Sequence, residues 1–311
     1  MKVIRAGVFG FCKGVRRAVD IAWQASEESL DNCSRRDAKA QRVTSVYTIG
    51  PLIHNHRILK NLEERGVICL DEAENFAALR LCVSSLPKNS TVIIRAHGVA
   101  PQIEAELRQQ GLQILDATCS HVKLSQHKTC DFAQKGYRIF LAGEKNHAEI
   151  AGIQGYALAG KPANAAFVVG TPAEAENRAA ELQKQYPSAK TVLIGQTTIS
   201  EKEYTDIADV IKKYFPTLEV LNTICGATAD RQNALRELCR KVDAVIIAGS
   251  PESSNTRRLL SLAHELGKPA WLVESSGELP PEIAGYRTAG LSAGASAPDD
   301  LIDEIEAALK A

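Results

Sequence analysis

Three of the eight cysteines stand in matched surroundings, and a thiolate is a natural ligand for a soft metal. Cys12, Cys119 and Cys225 are separated by 107 and 106 residues. Each follows a short apolar stretch that reads as a strand: residues 2–6, 112–116 and 218–222. Three thiolates at one centre suit zinc in a Cys₃His set or an iron–sulfur cluster. Structural zinc sites draw their ligands from close Cys-x-x-Cys pairs. Here the ligands come from distant stretches of chain, which favours a reactive cofactor, and a 4Fe-4S cube with three protein ligands leaves one iron open to substrate. Cys33, Cys69, Cys82, Cys130 and Cys239 lack the matched context and are expected to be core thiols.

The second group with chemical potential lies just after apolar runs. His54, His97, His147, Thr197, Thr198, Ser253, Ser254, Asn255 and Ser296 all occupy such tips. Imidazoles, hydroxyls, an amide and helix N-termini together make an anion cage suited to a phosphate or diphosphate. The competing reading is structural. A single His is often a satisfied packing residue, and Thr198, Ser253, Ser254, Asn255 and Ser296 are good helix caps; a cap can still bind a ligand. Glu149 stands two residues after His147 and fits a proton donor for a departing hydroxyl, the alternative being a surface glutamate. No G-x-G-x-x-G follows a strand, and the glycine-rich stretch 7–14 lacks the spacing of a phosphate-binding loop, so neither nicotinamide nor ATP is indicated.

The elements that must carry these residues repeat. Strand-like runs at 43–50, 137–143 and 243–249 each precede one polar tip, and runs at 91–96, 191–195 and 287–291 precede a second. The distance from Cys119 to His147 and from Cys225 to Ser253 is 28 residues in both cases; from Cys12 to His54 it is 42. A polar surface insertion at 29–42 accounts for the excess. Amphipathic helices are expected at 57–64, 102–110, 204–215, 256–266 and 299–309, with further apolar stripes after Cys12 and Cys225 and a weak, polar one after Cys119. Gly66, Gly111 and Gly267 sit where helix C-caps need positive φ. Strands alternating with helices imply parallel sheets.

The first two units end in one more strand before the next cysteine. The third ends in a helix and lacks that strand, so residues 2–6 are expected to dock there. The fold class is therefore α/β: three similar units (1–118, 119–224 and 225–311) in a pseudo-threefold ring around the cluster. Length alone, 311 residues, suggests about two domains; the repeat overrides it.

Composition excludes several function classes. Lys+Arg and Asp+Glu are both 37, which argues against nucleic-acid binding and polybasic membrane attachment. Aromatics are 5%, too few for base-stacking platforms. No apolar run reaches the ~18 residues of a membrane span, and the N-terminus does not read as a signal peptide. A cytoplasmic protein with reduced thiols is expected.

These residues resemble the 4-hydroxy-3-methylbut-2-enyl diphosphate reductase family across nearly the whole chain. The resemblance rests on Gly10-Phe11-Cys12-x-Gly14-Val15-x-Arg17-Ala18, Ile53-His54-Asn55, Ala96-His97-Gly98-Val99 and Asp116-Ala117-Thr118-Cys119. It continues through His147-x-Glu149, Gln196-Thr197-Thr198, Cys225-x-Ala227-Thr228-x-x-Arg231-Gln232, Ser253-Ser254-Asn255 and Ala293-Gly294-Ala295-Ser296-Ala297-Pro298. It implies a 4Fe-4S cluster on Cys12, Cys119 and Cys225, with the substrate hydroxyl on the open iron. It implies diphosphate binding by His54, His97, His147, Ser253, Ser254, Asn255 and Ser296. Glu149 would deliver the proton, oriented by Thr197 or Thr198, and the products would be isopentenyl and dimethylallyl diphosphate. Electrons would come from a ferredoxin or flavodoxin. Two departures stand out: Ala148 where the family has Pro, expected to loosen the Glu149 loop, and Asp230 where Asn is common, which adds charge near the cluster. The runner-up is a threefold 4Fe-4S dehydratase or condensing enzyme of the quinolinate synthase type, and a third reading is a non-enzymatic metal-binding protein.

Overall fold

The computed structural model describes residues 1–34, 45–70, 83–159 and 166–311. Cys82, the side chain of Cys33 and most of the expected insertion at 29–42 lie outside the described residues. The chain divides into two compact units, one of Met1–Arg16, His54–Arg57 and Ile224–Ala311, the other of Arg17–Ile53 and Ile58–Thr223.

The first unit is built on one parallel sheet of β1 (Lys2–Arg5), β10 (Ala244–Ala248), β11 (Ala270–Val273) and β12 (Thr288–Ala293), in the order β1-β12-β10-β11. The N-terminal strand does dock where the sequence leaves a vacancy, with Lys2 opposite Thr288 and Arg5 opposite Leu291. Flanking this sheet are α8 (Gly226–Cys239), α9 (Ser254–Glu265) and α10 (Asp299–Lys310).

The second unit holds two sheets. One comprises β2 (Val46–Ile49), β3 (Val67–Leu70), β4 (Thr91–Ile94) and β5 (Gln113–Asp116), in the order β3-β2-β4-β5. The other comprises β6 (Arg138–Ala142), β7 (Ala166–Val169), β8 (Thr191–Gly195) and β9 (Glu219–Val220), in the order β7-β6-β8-β9. The same order recurs in every sheet, so β1, β5 and β9 are equivalent edge strands. Strands β4, β6, β8 and β10 are near-continuous apolar runs because parallel sheets bury both faces. The three edge strands carry Lys2, Arg5, Gln113, Asp116 and Glu219 and stay partly exposed.

Helix α1 (Lys13–Ser34) runs on through residues 29–34, the start of the stretch expected as an inserted loop. The remaining helices are α2 (His56–Glu64), α3 (Pro101–Gln109), α4 (Ser120–Gln134), α5 (Ala148–Leu158), α6 (Pro172–Gln185) and α7 (Glu201–Lys212). Gly66, Gly111 and Gly267 all have the positive φ that their cap positions require.

The weak periodicity after Cys119 is misleading. Helix α4 is regular and buries Val122, Ser125, Gln126, Thr129 and Ala133, an i, i+3, i+4 stripe filled largely by polar residues. Ser125 and Thr129 satisfy their hydroxyls on the helix's own carbonyls, Thr129 Oγ1 donating to Ser125 O at 2.7 Å. The expectation of core thiols also needs correction: Cys239 is buried, but Cys130 is half-buried and Cys69 is exposed. Cys69 lies on edge strand β3, where it and the adjacent Ile68 are both exposed.

Candidate active site

All three matched cysteines immediately precede a helix that follows an edge strand. Cys12 precedes α1, Cys119 caps α4 and Cys225 caps α8. A helix N-terminus favours a thiolate, because its unpaired N–H groups and dipole place positive charge there. All three are half-buried, and no disulfide joins the described cysteines.

In the first unit, the Val15 N–H donates to Cys12 Sγ at 3.4 Å, and the Cys12 N–H donates to Ala295 O at 3.2 Å. Burial pushes the Cys225 thiol up, and the neighbouring Cys12 adds to the rise; the backbone N–H groups of Ala227 and Thr228 and the charge of Arg231 pull the other way. The loop after β12 that anchors Cys12 also carries Ser296, whose hydroxyl donates to His54 O at 2.9 Å. Ser253 caps α9, its Oγ accepting the Thr256 N–H at 3.4 Å, so the capping reading holds for this residue. Ser254 and Asn255 form the first turn of α9 and are buried. The Nδ2 of Asn255, 5% exposed, has no hydrogen-bond partner among the described residues, nor do the hydroxyls of Thr256 and Ser292. Buried donors are almost always paired; Asn255 Nδ2 and Thr256 Oγ1, left over in the first turn of α9, fit a site that an anion completes.

The close approach of the two strand-end loops here depends on glycine. A Cβ on Gly294 would lie 2.1 Å from Thr256 Oγ1, and Gly249, with φ +141°, packs against the same threonine. Gly294 donates its N–H to Ala248 O at 2.9 Å, drawing the β12 tip onto the β10 tip.

In the second unit, the Cys119 N–H donates to Ala96 O at 3.0 Å, repeating the Cys12–Ala295 arrangement. His147 caps α5, its Nδ1 accepting the Glu149 N–H at 3.1 Å. Glu149 is 1% exposed, so the surface alternative is excluded. Its Oε1 accepts the Thr197 N–H at 2.6 Å and its Oε2 accepts the Thr197 hydroxyl at 2.9 Å. Thr198 is half-buried beside it. Ala148 is the first helical residue and is buried; the His147 cap and the Thr197 pair hold this turn without a proline.

His97 meets His147 edge to face, with ring centroids 5.1 Å apart. What brings them together is a glycine face on α5. A Cβ on Gly155 would lie 2.4 Å from Ala100 Cβ, and Gly152 sits against the backbone of Gly98 and Val99. The loop carrying His97 therefore lies directly on the helix whose N-terminus carries His147 and Glu149.

Arg231, Thr256 and Ser292 add to the residues singled out from the sequence. Arg231 is the one with a usable signal: it interrupts the buried stripe Thr228, Gln232, Leu235, Leu238 and Cys239 of α8, where an arginine has no packing reason to be.

Comparison with known proteins gives a consistent result. The family model described as "LytB protein" matches residues 3–310. A 4-hydroxy-3-methylbut-2-enyl diphosphate reductase of Treponema denticola is 41% identical over 98% of this chain and 98% of its own. The corresponding reductase of Aquifex aeolicus is 35% identical, covering 99% and 96%. Among solved structures, the E-1-hydroxy-2-methyl-but-2-enyl-4-diphosphate reductase from Plasmodium falciparum superposes with TM-score 0.82 at 26% identity, covering 98% of this chain and 87% of that one. A second, an (E)-4-hydroxy-3-methyl-but-2-enyl diphosphate reductase titled the terminal enzyme of the non-mevalonate pathway, gives TM-score 0.65 at 35% identity, covering 100% and 99%.

Proposed function

The chain belongs to the LytB protein family and is an oxidoreductase of the non-mevalonate pathway, and we propose that it works through a 4Fe-4S cluster held by Cys12, Cys119 and Cys225. The substrate is the allylic diphosphate named for its relatives, (E)-4-hydroxy-3-methylbut-2-enyl diphosphate. The observation that carries the cluster assignment is the recurrence of one cysteine before a helix after the edge strand of each of three sheets with the same strand order. The donor set fits: three half-buried thiols, each at a helix N-terminus. Bound there, a cluster would supply electrons and an open iron able to polarise the substrate oxygen as a Lewis acid.

The protein's own groups account for the rest. His54, His97, His147, Ser253, Ser254, Asn255 and Ser296 bind the diphosphate, with the unpartnered Asn255 Nδ2 as the clearest waiting donor. Glu149 delivers a proton to the departing hydroxyl, which leaves as water when the allylic C–O bond breaks. Thr197 fixes both carboxyl oxygens while this happens, and its hydroxyl can donate or accept as the proton moves. The allyl group takes up two electrons and a second proton, giving isopentenyl or dimethylallyl diphosphate. The electrons come one at a time from a ferredoxin or flavodoxin, in the cytosol.

Threefold organisation with boundaries at 1–118, 119–224 and 225–311, closed into a ring around the cluster, remains part of this proposal. The recurring strand order supports it. Anaerobic turnover of the substrate with a reduced low-potential dye tests the activity. Iron and sulfide analysis of Cys12→Ser, Cys119→Ser and Cys225→Ser tests the site: each should lose its cluster, and full content in all three would overturn the assignment.

A further inference from the structure

Helix α8 carries a charge in its buried stripe that the reaction does not use. Arg231 is 3% exposed. Its Nη1 donates to Ala227 O at 2.8 Å, two residues after Cys225, and its Nη2 donates to Gly10 O, two residues before Cys12. Its Nε–H has no hydrogen-bond partner among the described residues. Arg231 forms no ion pair with a described carboxylate; the adjacent Asp230 is exposed and acts on it only at a distance.

A buried guanidinium with no counter-charge costs several kcal/mol. Two carbonyls solvate it but do not neutralise it. Thiolates would. Burial pulls the Arg231 charge down, and Cys12, Cys225 and Asp230 are the groups that sustain it. The clamp is geometrically specific as well. Gly10 has φ +71°, and a Cβ there would lie 3.2 Å from Ile302 and 3.3 Å from Asp299, so the loop that Arg231 grips has little room to shift.

We propose that Arg231 is a positioning residue for the cluster: its fork ties the Cys12 loop to the helix of Cys225 and sets one positive charge beside two of the three sulfur ligands, holding the cluster in place and raising its potential. This rests on the cluster reading above. The sign follows from charge. Reduction adds an electron to an already anionic cluster–thiolate assembly, so a nearby cation stabilises the reduced form more than the oxidised form.

The test uses anaerobically reconstituted full-length protein and two variants, R231M and R231K, read by cluster content, redox titration followed by electron paramagnetic resonance, and the rate of iron loss to a chelator. For R231M, the ratio of reduced to oxidised cluster at a fixed potential should fall about tenfold, 59 mV for a one-electron couple. Lysine keeps the charge but cannot fork to both carbonyls, so R231K should hold a potential near the parent's and lose iron about tenfold faster. An R231M potential equal to the parent's, or an R231K shift as large as that of R231M, overturns the proposal. If R231M does not fold, R231K decides: unchanged iron loss overturns the clamp, and faster loss at near-parent potential supports it. A parent protein that reconstitutes with no 4Fe-4S signal would instead sink the cluster reading itself.

Discussion

At the ends of β6 and β8, the carboxyl group proposed as proton donor is fully held: both oxygens of Glu149 accept from Thr197, and its backbone N–H is taken by the His147 cap. At the ends of β10 and β12, the same position in another sheet is left incomplete, with Asn255 Nδ2, Thr256 Oγ1 and Ser292 Oγ buried and without a partner among the described residues. Position 147 and position 253 are equivalent caps, yet one tip is finished in the unligated protein and the other is not. As the proposed proton donor, Glu149 must be aimed before the substrate arrives, and its geometry is built in. An anion site gains by leaving donors unsatisfied, because the ligand then recovers a desolvation cost already present in the empty protein.

The strongest way to break this contrast is at the finished tip. Glu149→Gln keeps size and hydrogen bonding but has no acidic proton, and turnover should fall by about 10²–10⁴-fold with the cluster retained. Near-parent turnover in cluster-replete protein would move the proton source elsewhere. At the unfinished tip, Asn255→Ala should weaken inorganic diphosphate and substrate about ten- to hundredfold, as measured by calorimetry. The same variant should change the stability of the unligated protein by less than about 1 kcal/mol, because no hydrogen bond is lost.

Thr197→Val should do the opposite. It strips a partner from a buried carboxyl oxygen, so denaturant unfolding should show a loss of about 1–2 kcal/mol before any ligand is added. Equal stability losses for Asn255→Ala and Thr197→Val would erase the distinction. The smallest effect belongs to Ser253→Ala, whose capping bond is long at 3.4 Å; about 0.5–1 kcal/mol of stability should go.

Much of this was legible in the chain. The matched contexts of Cys12, Cys119 and Cys225 located one edge strand and one helix start in each sheet, and counting strands located the docking of β1 on β12. The residues that failed are those whose signal is not hydrophobic. Helix α4 hides its buried face behind Ser125 and Thr129, which satisfy themselves locally, and Gln126, whose amide donates to Val99 O. Helix α5 shows no clear stripe because one face is apolar and the other is the glycine surface of Gly152 and Gly155 under residues 98–101. Sequence named Glu149 and Thr197 but not their double hydrogen bond, since pairing across 48 residues leaves no local pattern. Arg231 was visible as one letter of a motif and as a charge interrupting the stripe of α8. Its meaning needed the carbonyls of Gly10 and Ala227.

The pairing of Lys2–Arg5 with β12 has a consequence for how the molecule is made. The strand Lys2–Arg5 pairs with Thr288, Ala289, Gly290 and Leu291, so it is translated long before its partner. At ~5–20 residues per second, β1 and the loop bearing Cys12 spend on the order of 15–60 s without a sheet to join. The two sheets of the second unit are complete by Val220 and can form during that interval. Cys12 is thus made long before the sheet that positions its loop, and the cluster proposed for it would be loaded only once Thr288–Leu291 have been translated.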